Sequence, residues 1–238
     1  PTLLFTELFG QAPGQDEGRQ SHQTMTQTRE AGYRIFIATS GTGKTTDIKA
    51  YLNDKRRNLI VPSGRDDVAW HGIPELKWRV EMVDDPWRPG KQVAKCIVPE
   101  LNTFTGTRVL HVDGDARIFD AIIDPVTGIR NARVVLDDFR NYIYSSGQLR
   151  KEVVAFLNNR RHKMLDLFLA CHQVEDVARK MLALNPKLII GYTTSPPTDT
   201  SLGKVPNGEL LLETIERVNR INLAKPEGKR YYKEMVQM

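Results

Sequence analysis

Ser40-Gly41-Thr42-Gly43-Lys44-Thr45-Thr46 puts a glycine-interleaved bend directly before a lysine and two hydroxyls. Such a bend lets consecutive backbone N–H groups point into one concavity, and glycine permits the close approach of an anion. Lys44 has the charge and reach for the β- and γ-phosphates of a nucleotide. Thr45 offers a hydroxyl to Mg²⁺, and a helix opening at Lys44 aims its positive end at the same place. The expected ligands are therefore ATP and Mg²⁺, with Ser40, Gly41, Thr42, Gly43, Lys44, Thr45 and Thr46 holding the nucleotide. One letter departs from the pattern G-x-x-x-x-G-K-[ST]: Ala38 stands where it asks for glycine, so the corner between strand and loop is made with a Cβ present.

A phosphate loop needs a metal-associated carboxylate from a neighbouring strand, and the run Val134-Val135-Leu136-Asp137-Asp138 ends in two. Asp137 is the expected partner of the metal, together with Thr45. Asp138 is expected to orient and deprotonate an attacking water. A third polar feature closes the apolar run Leu165 to Cys171, where His172-Gln173 follows a basic turn at Arg160-Arg161-His162-Lys163. A glutamine at the tip of a strand beside the carboxylate strand can bond both a terminal phosphate and the water. Gln173 is thus the expected sensor of nucleotide state, with His172 as the alternative.

These groups need a scaffold. Tyr33 to Ala38 reads as a buried strand, Lys44 to Asn53 as a helix, and Asn58 to Val61 as a second strand, a βαβ opening. Further strands are expected at 79–83, 93–98, 108–112, 132–136, 165–171 and 187–192. Helices are expected after Asp113-Gly114 through Ile118 and Ile122, after a cap at Ser145 or Ser146, over 175–184, and over 209–221. Unbroken apolar strands alternating with amphipathic helices predict an α/β fold. Its central sheet is mostly parallel and RecA-like, covered on both faces, with ligands at the carboxyl ends of the strands. The expected organisation is an N-terminal arm or linker at 1–30, a P-loop ATPase core at 31–200 and a C-terminal helical extension at 201–238. Residues 11–30 have little to bury and fit either disorder or an arm docked on a neighbour.

At 238 residues with a formal charge of +5, the chain suits one such domain with extensions, and the charge mildly favours a polyanionic partner. Cys96 and Cys171 lack metal-ligand spacing, so no zinc site is expected and a reduced, intracellular setting is the simpler reading. No run approaches the length of a membrane span, which predicts a soluble protein. From Arg140 to Lys163, Arg140, Arg150, Lys151, Arg160, Arg161 and Lys163 face one acid, Glu152, with Tyr142 and Tyr144 nearby. That mix suits either a nucleic-acid channel or a solvated helix face. The basic tail from Lys225 to Lys233 reads as solubilising.

The order of these motifs, from about Tyr33 to Thr194, resembles the HerA/FtsK superfamily of P-loop motors. Within it the chain looks most like the genome-packaging ATPases of tailless, membrane-containing viruses. It is also similar to the zonula-occludens-toxin-like assembly ATPases of filamentous phages. The resemblance implies a ring, usually a hexamer in that family, that translocates DNA and docks on capsid, portal or vertex proteins in the host cytoplasm or at the virion vertex. It also implies an arginine donated in trans, for which Arg160 is preferred, Arg161 is next and Arg140 a further candidate. Asp138 departs from the more usual glutamate. The rival readings are a filamentous-phage-type virion assembly and export ATPase, a P-loop small-molecule kinase, and a non-catalytic nucleotide-binding scaffold.

Overall fold

The apolar runs become strands buried on both faces. Ile35, Phe36 and Ile37 of β1 (Tyr33–Ile37), Leu59 to Val61 of β2 (Asn58–Val61) and Val134 to Leu136 of β6 (Arg133–Leu136) are all buried, as is every residue of β9 (Asp166–Cys171). The computed structural model describes residues 32–52, 56–62, 64, 67–85, 88–111, 125–140, 144–145, 148–194 and 205–238. The expected arm at 1–30, the Asp113-Gly114 turn with its helix through Ile118 and Ile122, and Tyr142 lie outside the described residues.

Seven strands form the central sheet in the order β11-β10-β1-β9-β6-β2-β5, where β5 is Thr107–Val109, β10 is Lys187–Ile190 and β11 is Glu234–Gln237. Every pairing is parallel except that of β11 with β10. The fold is the expected α/β architecture, a mostly parallel sheet with helices. One detail differs from the sequence reading: the carboxylate strand β6 is not adjacent to β1, because β9 lies between them.

Side-chain alternation splits the core in two. Tyr33, Ile35 and Ile37 join a large cluster with Val153, Phe156 and Leu157 of α2 (Lys151–Asn159), Met181 and Leu182 of α3 (Arg179–Leu182), and Leu211, Ile215 and Val218 of α4 (Gly208–Leu223). Phe36, Ile60, Val135 and Phe168 face the other way, onto Ile48 of α1 (Lys44–Tyr51) and Trp70. Burying each large apolar side chain contributes roughly 1.5–3 kcal/mol. α1 is short and mostly polar, so its position rests on few contacts: Ile48, and Tyr51 packed edge-on to Phe36 and Phe168 at 6.1 and 5.4 Å.

Several boundaries moved for local reasons. The helix expected after Ser145 or Ser146 starts at Lys151, with extended Arg150 as its N-cap. The stretch before it pairs β7 (Tyr144–Ser145) with β8 (Gln148–Leu149). The helix expected over 175–184 is broken: a 3-10 turn covers Val174–Asp176, Val177 and Ala178 are extended, and only Arg179–Leu182 is α-helical. β3 (Arg79–Asp84) and β4 (Gln92–Ile97) form a separate hairpin. The C-terminal region carries its expected helix and then β11, which joins the sheet edge. Among the described residues no helix is long and apolar enough to cross a membrane.

The amino ends of the strands are tied by a buried polar network. Asp166, at the start of β9, accepts from the Gly32 N–H at 2.8 Å, from Arg56 at 2.6 Å and from Arg133 at 3.5 Å. Arg133 also reaches Asn58 Oδ1 and the Tyr51 carbonyl. The network fixes where β9 begins relative to β1 and β6, and hence which residue emerges at its far end.

Candidate functional site

At the carboxyl ends of β1, β6 and β9 lies a cleft of about 700 Å³, bordered by Thr39, Ser40, Gly41, Gly43, Lys44, Thr45, Thr46, Asp67, Asp137, Asp138, His172 and Tyr231, with Gly64. The loop at its floor is shaped by two left-handed glycines, Gly41 at φ 74° and Gly43 at φ 81°, a region that penalises any side chain. Thr42 is buried and its hydroxyl donates to the Thr39 carbonyl at 2.7 Å, which braces the bend from inside.

Ala38 fits because of Gly191. Its φ is not left-handed, so nothing in the backbone demands glycine there. Its methyl occupies space on the neighbouring strand end where a Cβ on Gly191 would come within 2.8 Å. The glycine missing from the loop has in effect moved across to the end of β10. The corner is held by Ala38 N–H to Cys171 O at 3.1 Å, Gly191 N–H to Ile37 O at 2.8 Å and Thr39 N–H to Tyr192 O at 2.8 Å.

Lys44 extends back over its loop. Its ammonium donates to the carbonyls of Ala38 and of Thr39, the latter at 3.2 Å, and lies 3.4 Å from His172 Nδ1. Burial lowers its pKa, against the opposing pull of Asp137, Cys171 and Asp138. An ammonium can only donate, so protonated Lys44 requires His172 Nδ1 to accept and its Nε2 to carry the proton. That Nε2 lies 3.9 Å from Asp138 Oδ2, too long for a hydrogen bond, which leaves both groups available to a third partner.

Asp137 is buried and aimed. Its Oδ2 accepts from the Trp70 indole N–H at 2.9 Å and its Oδ1 from the Asp138 N–H at 3.1 Å. Burial raises its pKa, Asp67 adds to the rise, and the Trp70 bond and Lys44 oppose it. Asp137, Asp138 and the Thr45 hydroxyl line the same cleft and together offer oxygen donors of the kind Mg²⁺ takes. Asp138 adopts φ 49°, an unusual conformation for a residue with a side chain, and the next N–H, of Phe139, is locked to Ala170 O at 3.0 Å. Strain of this kind is held by its surroundings and gathers at functional positions.

The sensor expected at Gln173 does not border the cleft. It stands at the N-cap of the following 3-10 turn, where its N–H donates to Asp176 Oδ2 at 3.2 Å and its carbonyl accepts from the Asp176 N–H at 3.2 Å. His172 and Gln173 follow β9 in a bend: His172 borders the cleft, whereas Gln173 opens the 3-10 turn at Val174–Asp176. Because β9 lies between β1 and β6, His172 meets both Lys44 and Asp138.

The arginines also sort differently. Arg160 is buried at the opposite, amino edge of the sheet, over the Tyr33 ring at 5.0 Å, and donates to the carbonyls of Leu157 and Leu184 at 2.9 and 3.1 Å. Its guanidinium is held within the fold and does not border the cleft of its own chain. Arg161 is exposed beside it, in a separate hollow of about 410 Å³. Arg140 is 68% exposed and pairs with Asp176 at 3.2 Å.

Gly64, Asp67 and Tyr231 of the cleft's lining escaped sequence reasoning, as did Trp70 behind Asp137 and Gly191 beside Ala38. Asp67 could have been sought as an acid following β2, but a lone tryptophan and a lone glycine carry no motif. The basic tail, expected to be only solvated, is in part structural: Lys233 is half-hidden and ion-paired with Asp47 of α1.

No family model and no curated protein matches the chain. Solved structures do. The genome packaging NTPase B204 from Sulfolobus turreted icosahedral virus 2, in complex with AMPPCP, superposes with a TM-score of 0.56 at 13% identity, over 87% of this chain and 92% of that one. B204, the DNA-packaging ATPase from Sulfolobus turreted icosahedral virus, gives a TM-score of 0.54 at 13% identity over 86% and 91%. The N-terminal domain of zonular occludens toxin from Neisseria meningitidis overlaps less, with a TM-score of 0.36 at 14% identity. At such identities the likeness is one of fold, and this chain has the P-loop NTPase fold seen in those viral packaging NTPases.

Proposed function

We propose that this chain is an ATP-hydrolysing motor subunit that drives DNA into a preformed viral capsid. The observation that carries the reading is the meeting of Lys44, Thr45, Asp137, Asp138 and His172 in one polar cleft at the sheet's carboxyl edge. The packaging role is supported by the shared fold with packaging NTPases that bind ATP analogues.

In this reading the loop N–H groups and Lys44 hold the β- and γ-phosphates, exchanging the loop carbonyls for phosphate oxygens. Thr45 and Asp137 hold Mg²⁺, which when bound neutralises phosphate charge. Asp138 takes the proton of the attacking water, a role worth typically 10²–10⁴-fold. His172, fixed between Lys44 and Asp138, reports whether the γ-phosphate is present. Subunits assemble into a ring, and Arg161 or Arg140 completes a neighbour's cleft. The exposed basic residues Arg140, Lys151 and Arg161 face the DNA, and the ring docks at a capsid vertex.

The test is ATP turnover with and without single- and double-stranded DNA, alongside native mass. Expected are a ring-sized assembly, DNA-stimulated hydrolysis, and folded but inactive Lys44→Ala and Asp137→Ala. A monomer or dimer whose hydrolysis ignores DNA would overturn the motor and favour a small-molecule kinase.

A further inference from the structure

We infer that residues 229–233 build the base subsite of the cleft, with the Tyr231 ring as its stacking wall; the inference rests on reading the cleft as a nucleoside triphosphate site. The segment is fastened on several sides. Asn222 of α4 exchanges two hydrogen bonds with the Tyr232 backbone, at 2.9 and 3.0 Å. Lys233 pairs with Asp47 in the first turn of α1, and the Arg230 guanidinium lies over the Tyr192 ring at 4.8 Å. Immediately afterwards β11 joins the sheet.

With Tyr232 tied to α4, its neighbours in the chain turn toward the phosphate loop. Tyr231 Cδ1 lies 3.6 Å from where a Cβ on Gly43 would stand, and Lys233 Nζ lies 3.3 Å from the same point. The ring is thus set against the loop bend, yet 54% of the residue is exposed. Among the described residues bordering the cleft, Tyr231 is the sole Phe, Tyr or Trp, and the imidazole of His172 stands at the other end beside Lys44 and Asp138.

The cleft has a direction. Lys44, Asp138 and His172 mark the end where terminal phosphates react, so the nucleoside must leave past Gly43 and Thr46, on the side where Tyr231 stands. A nucleobase has a π-face whatever its identity, and stacking on an aromatic ring contributes sequence-tolerant affinity. The subsite therefore accepts any nucleoside triphosphate and favours purines through their larger ring.

The test is calorimetric titration of the intact chain and its Tyr231→Ala and Tyr231→Phe variants with ATP, UTP and inorganic tripolyphosphate. Tyr231→Ala should weaken ATP roughly ten-fold and narrow the ATP-over-UTP preference. Tyr231→Phe should restore both, and tripolyphosphate should bind all three proteins alike. Unchanged ATP affinity in Tyr231→Ala, or an equal loss of ATP and tripolyphosphate, would overturn the stacking role. A wild-type chain that binds neither ATP nor tripolyphosphate would instead overturn the nucleotide reading beneath it.

Discussion

The Ala38–Gly191 contact makes a quantitative prediction about how this loop tolerates its unusual residue. In Gly191→Ala the new Cβ would lie 2.8 Å from the Ala38 Cβ. Carbon atoms rest about 3.5–4.0 Å apart, so the two strand ends must separate by at least about 0.7 Å. Neither yields freely, because Ala38 is bonded to Cys171 and Gly191 to Ile37. Overpacking of this kind costs about 1–3 kcal/mol. The displaced corner also carries the carbonyl that Lys44 contacts, and a shift near 1 Å at a catalytic group can lower turnover by about 10²-fold.

Ala38→Gly alone should cost only about 0.5–1 kcal/mol through backbone entropy. The double variant Ala38→Gly/Gly191→Ala removes the clash and restores glycine to the loop. Its stability should recover most of the loss seen in Gly191→Ala, a coupling of about 1–3 kcal/mol. Urea unfolding of the four proteins measures that coupling, and ATP turnover reads the loop. If the two substitutions simply add, Ala38 is not accommodated by Gly191 and the explanation fails.

Three further outcomes follow from the same geometry. His172→Ala should lower ATP turnover at least about ten-fold, whereas Gln173→Ala, whose turn is held by backbone bonds, should leave turnover largely unchanged; the reverse pattern in steady-state kinetics would return the sensor to Gln173. Asp166→Ala should destabilise by about 3–5 kcal/mol in urea unfolding, because it strands the buried Arg133. Glu234 bonds Arg217 and Tyr232, and chiefly the Arg217 bond holds its carboxyl below the ordinary value. A depressed carboxyl stabilises above the unfolded pKa of about 4.3 and loses that effect as pH falls. The advantage of wild type over Glu234→Gln should therefore be full near neutrality and vanish on acidification, as read by thermal unfolding across pH.

The elements whose chemistry is local were legible in the sequence. The phosphate loop declares itself through Gly41, Gly43, Lys44 and Thr45, and Asp137-Asp138 through an apolar run that must end somewhere polar. β11 was not legible, since Glu234–Gln237 follows a basic stretch and forms only as an edge strand against β10. Tyr231 borders the cleft and Lys233 reaches α1 because that pairing folds the tail back, a contact spanning 186 positions between Asp47 and Lys233. The burial of Arg160 was not legible for a related reason. A guanidinium in a basic turn reads as solvated until its helix closes over Tyr33 and offers it two carbonyls.

Whether His172 or Gln173 meets the cleft depends on the register of β9, and that register is set about a strand's length away. A slip of one position against β1 and β6 would carry Gln173 to the place His172 holds. What prevents the slip is the opposite end of the same strand, where Asp166 accepts from Gly32 ahead of β1, from Arg133 of β6 and from Arg56 ahead of β2. The parallel ladders then carry the register forward, Ile37 opposite Cys171 and Leu136 opposite Leu169. The buried ionic network at the amino edge is thus the reason that an imidazole, and not an amide, stands between Lys44 and Asp138. Neither residue pair announces this in sequence, because it follows only once β9 is known to lie between β1 and β6.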